Sequence, residues 1–474
     1  MKVIVVGINH AGTSAIRTML AENPKLDVVA FDRNDNISFL GCGIALAVSG
    51  VVKDTTDLFY SNPEQLRSMG AKVHMKHEVL SVDHNRKVVV VRNLEKNSTF
   101  EESYDKLILA TGAWPITTAD ASLPFTEKYC GGIEGLVACK TYQHALEIID
   151  QFKKPDVNNI VVIGAGYIGV ELVEAAHQKG KKTLLVDMLP RPAANYFDKE
   201  FGTDLMTTMK KEGVDVRCGT KVMGYLVDTE GDKKVIRGIT LEKDGVQTKV
   251  EADLVIQCIG FLPNTSLLAD AHKVKNGALI IDQYCQTSVK DVYAIGGAAA
   301  IMNAATGEYQ NIDLATNAVK TGVVAASHIN GMTNIKLENV VGTNAIHVFG
   351  HHLASTGISE EVAKIRGIEA VVSYFEDADR PEWMNTYDRV KIKLVYDPKT
   401  LRLLGAQVGS TKNNHSEVIY LLALAIQRKL TLVDVAFADV FFLPHYNKPF
   451  NFIISAILQA LGLNYFKESI KNRF

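Results

Sequence analysis

Apolar and polar positions along the chain fall into two recurring patterns that predict buried strands joined to helices. The chain opens on the run Val3-Ile4-Val5-Val6, which ends at Gly7. A short apolar run without alternation reads as a strand buried on both faces. A helical stretch over 13–22 and the run Asp27-Val28-Val29-Ala30-Phe31-Asp32 follow. The same order returns mid-chain, with Asn159-Ile160-Val161-Val162-Ile163, a glycine-rich turn, a helical stretch over 170–180, and Lys182-Thr183-Leu184-Leu185-Val186-Asp187. Residues 104–112 and 253–260 each read as a strand running into a turn that closes one of these halves. Beyond about residue 330 the pattern alternates, as in Val390-Lys391-Ile392-Lys393-Leu394-Val395-Tyr396, before a helical run over 416–427 and an aromatic segment over 441–452. The whole predicts an α/β chain with two Rossmann-like nucleotide-binding units and a separate C-terminal α+β domain.

At 474 residues the chain is long enough for several domains. Its 51 basic and 53 acidic residues leave a formal net charge of -2. No global field therefore favours nucleic acid or an acidic membrane surface, and a small-molecule partner fits better. The first apolar run is too short for a signal peptide. The most apolar later stretch, residues 452–463, is interrupted by Ser455 and Gln459 and is too short to cross a hydrocarbon layer of roughly 30 Å. Six cysteines lie far apart in sequence without a C-x-x-C pair, which fits a reducing cytoplasm and leaves any redox cysteine to act largely alone.

The turn Gly164-Ala165-Gly166-Tyr167-Ile168-Gly169 follows Ile163 and precedes Asp187 by about 20 residues, the arrangement of a dinucleotide-binding fingerprint. Gly164 makes the tight turn, Gly166 admits a pyrophosphate, Gly169 lets helix pack on strand, and Asp187 suits a ribose 2′-hydroxyl. A carboxylate there repels a 2′-phosphate, so NADH is expected over NADPH. Arg191 is either a phosphate partner that weakens this preference or a solvated turn residue. The first turn, Gly7-Ile8-Asn9-His10-Ala11-Gly12, carries Asn9 where a glycine is usual, yet its strand, helix and terminal Asp32 keep the spacing. Two such sites imply two dinucleotides, and the natural pair is FAD with the nicotinamide that reduces it.

Ser38-Phe39-Leu40-Gly41-Cys42-Gly43 sets a cysteine between glycines at the expected start of a short helix, where a thiolate gains stability. That alone leaves the thiol about half ionised at best, so a further positive or hydrogen-bonding group is needed, and His10 is the candidate. The bland alternative is a small buried hydrophobe. His347, His351 and His352 share no helical face, and no metal site is expected.

The first turn with His10, the Cys42 motif, Ala110-Thr111-Gly112, residues 164–171, Phe261-Leu262-Pro263-Asn264-Thr265 and Phe442-Leu443-Pro444-His445-Tyr446-Asn447-Lys448-Pro449 together resemble the NADH oxidase and NADH peroxidase branch of the flavoprotein disulfide reductases. The likeness spans essentially the whole chain, and Arg380-Pro381-Glu382-Trp383-Met384 looks like a segment of the water-forming oxidases. It implies an FAD-binding domain in residues 1–120 and 266–330, an NAD-binding domain in 150–265, and a dimerisation domain in 335–474. It also implies a cytoplasmic homodimer or higher oligomer acting on dioxygen and NADH.

In the implied cycle NADH reduces FAD, dioxygen becomes peroxide, and the Cys42 thiolate takes one oxygen as sulfenic acid before a second NADH restores it. His10 is the second catalytic residue, hydrogen-bonding the sulfur oxygen or managing a proton. FAD falls to Gly7, Ile8, Asn9, Ala11, Gly12, Asp32, Val79, Ala110, Thr111, Gly112, Lys140, Gly296, Gly297, Ala298, Leu314 and Ala315, with Phe442 reaching the flavin of the partner subunit. The nicotinamide nucleotide falls to Ile163, Gly164, Gly166, Ile168, Gly169, Asp187, Tyr196 and Gly260, and Tyr167 covers the flavin until the nicotinamide displaces it. One departure stands out: Gly296-Gly297 replaces the family's usual Gly-Asp, losing a carboxylate expected on the ribityl chain. Uncompensated, such a loss costs about tenfold to a hundredfold in affinity. Rival expectations are an NADH peroxidase, a coenzyme A disulfide or persulfide reductase, and a nucleotide-sensing interaction protein without turnover.

Overall fold

The computed structural model describes residues 1–118 and 129–463, so residues 119–120 and 464–474 of the expected segments lie outside it. Two five-stranded parallel sheets carry the first two-thirds of the chain. One runs Val292–Ala294, Lys106–Leu109, Lys2–Val6, Asp27–Asp32, Lys72–Met75. The other runs Leu136–Ala138, Leu254–Gln257, Asn159–Ile163, Lys182–Asp187, Asp215–Cys218. The unbroken apolar runs form the strands sealed on both faces, with Val3, Ile4, Val162 and Leu185 wholly buried.

The strands read as closing the two halves, Lys106–Leu109 and Leu254–Gln257, pair in parallel with Lys2–Val6 and Asn159–Ile163. The edges on that side are Val292–Ala294 and Leu136–Ala138, three residues each. Both crossover helices start three residues before the expected stretches, at His10 and at Tyr167. Their first turns are built from the glycine fingerprints themselves. Neither has a side-chain cap, which leaves backbone N–H groups free to meet an anion.

Two further sheets flank the parallel sheets: His77–Asp83, Val88–Asn93 and Ser98–Ser103 run antiparallel, and so do Lys221–Glu230, Lys233–Lys243 and Val246–Glu251, with Ile133–Glu134 added parallel to Lys233–Lys243. The C-terminal unit is an antiparallel sheet in the order Asn344–Val348, His351–Gly357, Leu403–Ser410, Arg389–Tyr396, Val371–Ala378. Helices Ile419–Gln427 and Phe452–Ala460 pack their apolar faces on it. His347 and His352 are a cross-strand pair with rings stacked at 4.2 Å, and His351 bonds Thr208 Oγ1 at 2.8 Å.

Alternation along Arg389–Tyr396 hides one exception: Lys393 is 1% exposed, its Nζ 2.6 Å from Glu360, 3.0 Å from Glu200 and 3.3 Å from Asp198. Because a buried cation survives only when paired, this cluster ties the C-terminal sheet to the helix Lys199–Lys211 of the second parallel-sheet unit. Among the described residues no helix is long and apolar enough to cross a membrane.

Candidate active site

The two glycine turns are built alike. Gly7 and Gly164 adopt φ of +92° and +102°, and a Cβ on them would lie 2.4 Å from Ala110 O and 2.3 Å from Cys258 O. A Cβ on Gly12 or Gly169 would lie 2.0 or 1.8 Å from the carbonyl oxygen of Gly7 or Gly164. Only glycine fits these four positions, and each turn thereby brings a helix N-terminus close to the end of its strand. Gly166 differs: a Cβ there would touch nothing within 4 Å, so the space it leaves is open to a ligand.

Beside the first turn lies a cavity of about 430 Å³. Gly7, Ile8, Asn9, His10 and Ala11 line it from the turn, and Asp32 and Val79 from the neighbouring strands. Ala110, Thr111, Gly112 and Lys140 line more of its wall, as do Gly296, packed against Ala11 of the turn, and Gly297. Asp32 is buried, its Oδ2 accepting from Ile8 N at 2.7 Å and its Oδ1 from Asn34 N at 2.9 Å. Burial pushes this carboxyl up, and the bonds from Asn34 and Ile8 oppose the shift. Thr111 Oγ1 donates to Asn264 O, tying that wall to the Phe261–Pro263 segment. Gly12 and the buried Ala298 back these walls without lining the cavity, and neither Leu314 nor Ala315 lines it.

In the second unit Asp187 repeats the role of Asp32, accepting from Ala165 N at 2.5 Å through Oδ2 and from Leu189 N at 2.7 Å through Oδ1. Tyr167 stacks on Tyr196 at 4.2 Å, and its hydroxyl donates to Asn344 Oδ1. Ile163 is buried, Ile168 packs against the core on the other side of its sheet from it, with Val162 and Val170, and Gly260, at φ +108°, accepts from Ile116 N at 2.9 Å. Arg191 is neither of the things expected of it. It is 6% exposed and paired with Glu361 at 2.5 Å, so its charge faces the C-terminal unit.

Cys42 lies in the 3-10 turn Gly41–Gly43 ahead of the six-residue helix Ile44–Ser49, which packs on the helix Tyr167–Gln178. A Cβ on the preceding Gly41 would be 3.4 Å from Lys140 O. The cysteine does not line the cavity; the residue before it abuts Lys140, and the helix after it packs on the helix that leaves the second glycine turn. The residue is an exposed free cysteine. Its thiol is nonetheless pushed up, first by desolvation, with the charge of Glu171 adding and its own backbone N–H opposing. The backbone N–H at the helix start acts in the expected direction, but desolvation outweighs it.

His10 bonds Tyr60 Oη through Nδ1 at 3.0 Å with the rings stacked. Burial and then the Lys140 charge lower its pKa, against Asp313, so the ring is neutral near pH 7 and no cation for Cys42. No hydrogen bond joins His10 to Cys42 among the described residues.

Four residues of this region carry no sequence signal of their own. Glu171, beside Cys42, has its carboxyl raised to about 7 by burial and then by Glu174. Asp313 lines the cavity and pairs with Lys140 Nζ at 3.6 Å, while that ammonium sits 3.9 Å above the Phe261 ring. Cys139 and Cys258, far apart in sequence, are neighbours in the fold, and the Cys258 thiol is pushed up first by Cys139 and then by burial.

A cavity at one glycine turn, an open second turn and a cysteine between them define a two-nucleotide oxidoreductase. The chain belongs to the pyridine nucleotide-disulphide oxidoreductase family, whose description it matches over residues 1–322, with the family's dimerisation domain over 344–451. It is 51% identical over 478 residues to an NADH oxidase of Mycoplasma pneumoniae, covering 98% of each chain. It is 41% identical to an NADH oxidase of Enterococcus faecalis, covering 96% of this chain and 98% of that one. A water-forming NADH oxidase from Lactobacillus brevis, solved bound to NADH, superposes with a TM-score of 0.89 at 36% identity, over 99% of this chain and all of that one. The cofactors are accordingly FAD and NADH. The first site fits FAD on its own residues: an uncapped helix start suits a pyrophosphate, and Asp32 suits a ribose.

Proposed function

We propose that the protein oxidises two NADH per dioxygen and releases two waters, with Cys42 disposing of the peroxide. The observation that carries this reading is the place of Cys42, a free thiol between the Lys140 wall of the cavity and the helix of the second turn. Bound FAD supplies two-electron transfer between nicotinamide and oxygen. The chain's residues then govern what happens to hydrogen peroxide. The Cys42 sulfur, as thiolate, attacks one peroxide oxygen: the S–O bond forms, the O–O bond breaks, and hydroxide leaves and takes a proton to become water. Two electrons and a proton from the second NADH then cleave the S–O bond, returning the thiolate and a second water.

Neutral His10, with Nδ1 committed to Tyr60, has Nε2 free to hydrogen-bond the peroxide or the sulfur-bound oxygen. Asp187 selects NADH, and Tyr167, parked on Tyr196, is the side chain that a nicotinamide displaces to reach the flavin. Phe442 reaches across to the site of a second copy of the chain. The test measures NADH loss and oxygen uptake together, with an assay for free peroxide. Two NADH per dioxygen without free peroxide is expected. One NADH per dioxygen with stoichiometric peroxide, or NADH oxidation that needs added peroxide, overturns the reading.

A further inference from the structure

Gly297 lacks the carboxylate that the resemblance leads one to expect, yet a carboxylate is there. A Cβ on Gly297 would lie 2.7 Å from Asp313 Oδ1, 3.0 Å from its Cγ and 3.2 Å from its Oδ2. The carboxyl group of Asp313 therefore fills the space that a side chain rooted at residue 297 would occupy. The segment that carries it is tied to the same backbone, where Asn311 Nδ2 donates to Gly297 O at 3.1 Å and to Ala299 O at 3.0 Å. Lys140 Nζ, 3.6 Å from Asp313 Oδ2, holds the carboxylate from the cavity side.

We propose that Asp313 is a cofactor-positioning residue whose carboxylate accepts hydrogen bonds from the ribityl hydroxyls of FAD, standing in for the side chain missing at Gly297. This deepens the assignment of the first site to FAD. A dinucleotide that puts its ribose at Asp32 and its pyrophosphate at the turn 7–12 runs its polyol chain toward the Lys140 wall. Gly296 meets the turn there, since a Cβ on it would be 2.9 Å from Ala11 Cβ, and Asp313 stands between that contact and Lys140. Hydroxyls are the donors this part of the cofactor offers, and an ionised carboxylate is acceptor only, so the two are complementary.

The proximity of the two positions makes a reciprocal test available. Apo-protein is titrated with FAD, and with an FAD analogue deoxygenated along the ribityl chain, by quenching of flavin fluorescence, with unfolding midpoints of each apo-variant as the control for folding. Asp313→Ala is expected to weaken FAD binding about tenfold to a hundredfold. Gly297→Asp alone crowds two carboxylates together and also weakens it, whereas the pair Gly297→Asp with Asp313→Ala regains most of the loss. The analogue binds wild type more weakly than FAD and binds Asp313→Ala as well as FAD does, which a purely structural role would not produce. Unchanged FAD affinity in a folded Asp313→Ala, a double variant no tighter than either single one, or equal discrimination against the analogue in wild type and Asp313→Ala would each overturn the proposal. Since binding is read without turnover, an enzyme that holds FAD this way yet makes free peroxide would sink the water-forming reading and leave this one standing.

Discussion

The backbone N–H of Ala165 donates to Asp187 Oδ2 at 2.5 Å, so the carboxylate that ends one strand is locked onto the glycine turn that ends its neighbour. Its two oxygens keep lone pairs for a ribose diol and leave no donor for a 2′-phosphate. The nearest arginine in sequence that could rescue NADPH, Arg191, is already held by Glu361. Asp187→Ser is therefore expected to lower kcat/KM for NADH about tenfold or more, through KM, without conferring comparable use of NADPH. Steady-state kinetics with both nucleotides checks this. Efficient NADPH turnover by the single variant would mean that Arg191 is not committed as described.

Replacing the sulfur of Cys42 separates oxygen consumption from water formation. Cys42→Ser retains the cavity and both turns, so NADH-driven oxygen uptake persists while peroxide accumulates, and the ratio falls from two NADH per dioxygen to one. Unchanged water formation by the variant would remove Cys42 from the chemistry.

Glu171 makes both stability and thiol reactivity depend on pH. Its folded pKa is about 7 against an ordinary 4.5. A raised carboxyl favours folding fully below the unfolded value, and that contribution is lost as pH rises through the folded one. The loss thus runs from about pH 4.5 to about pH 7 and amounts to roughly 3 kcal/mol. Glu171→Gln should match wild type in unfolding free energy near pH 4.5 and exceed it by up to about that amount at pH 8. Because the charge of Glu171 also raises the Cys42 thiol, the amide should move the pH midpoint of Cys42 alkylation downward. Urea titrations at the two pH values and alkylation rates across pH test the two halves separately.

Much of this site was legible because its geometry is local. Gly7, Gly12, Gly164 and Gly169 are demanded by contacts within a few residues or with the adjacent strand, and Asp32 and Asp187 end the strands beside them. What escaped depends on distant segments meeting. Asp313 reaches Gly297 only because the segment between them, Ala299–Met302 paired with Tyr309–Gln310, turns back on itself. Sequence therefore shows a lost carboxylate where the fold has one nearby. The acidity of Cys42 escaped for a related reason: its glycine-flanked setting suggests a stabilised thiolate, whereas desolvation by the surrounding fold, and then the charge of Glu171 from another helix, act in the opposite sense. Lys393 sits at a position whose alternation pattern calls for solvent, and it is buried because Glu360 and Glu200 arrive from two other elements.

The aromatic segment near the C-terminus bears on whether one copy of the chain holds a complete site. Phe441, Phe442 and Tyr446 are all exposed, an unusual concentration of aromatic surface on a family dimerisation domain. Burying such side chains against a second copy contributes about 1.5–3 kcal/mol each. If Phe442 completes the flavin site of the partner subunit, Phe442→Ala and Cys42→Ser damage different subunits' contributions to one site. Each variant alone makes little water. Unfolding and reassociating an equal mixture creates hybrid dimers in which one site carries both substitutions and the other carries neither. With random pairing half the dimers are hybrids, so water formation should recover to about a quarter of wild type. Were Phe442 to serve its own subunit, every hybrid site would carry one defect, and mixing would restore nothing beyond the average of the parents.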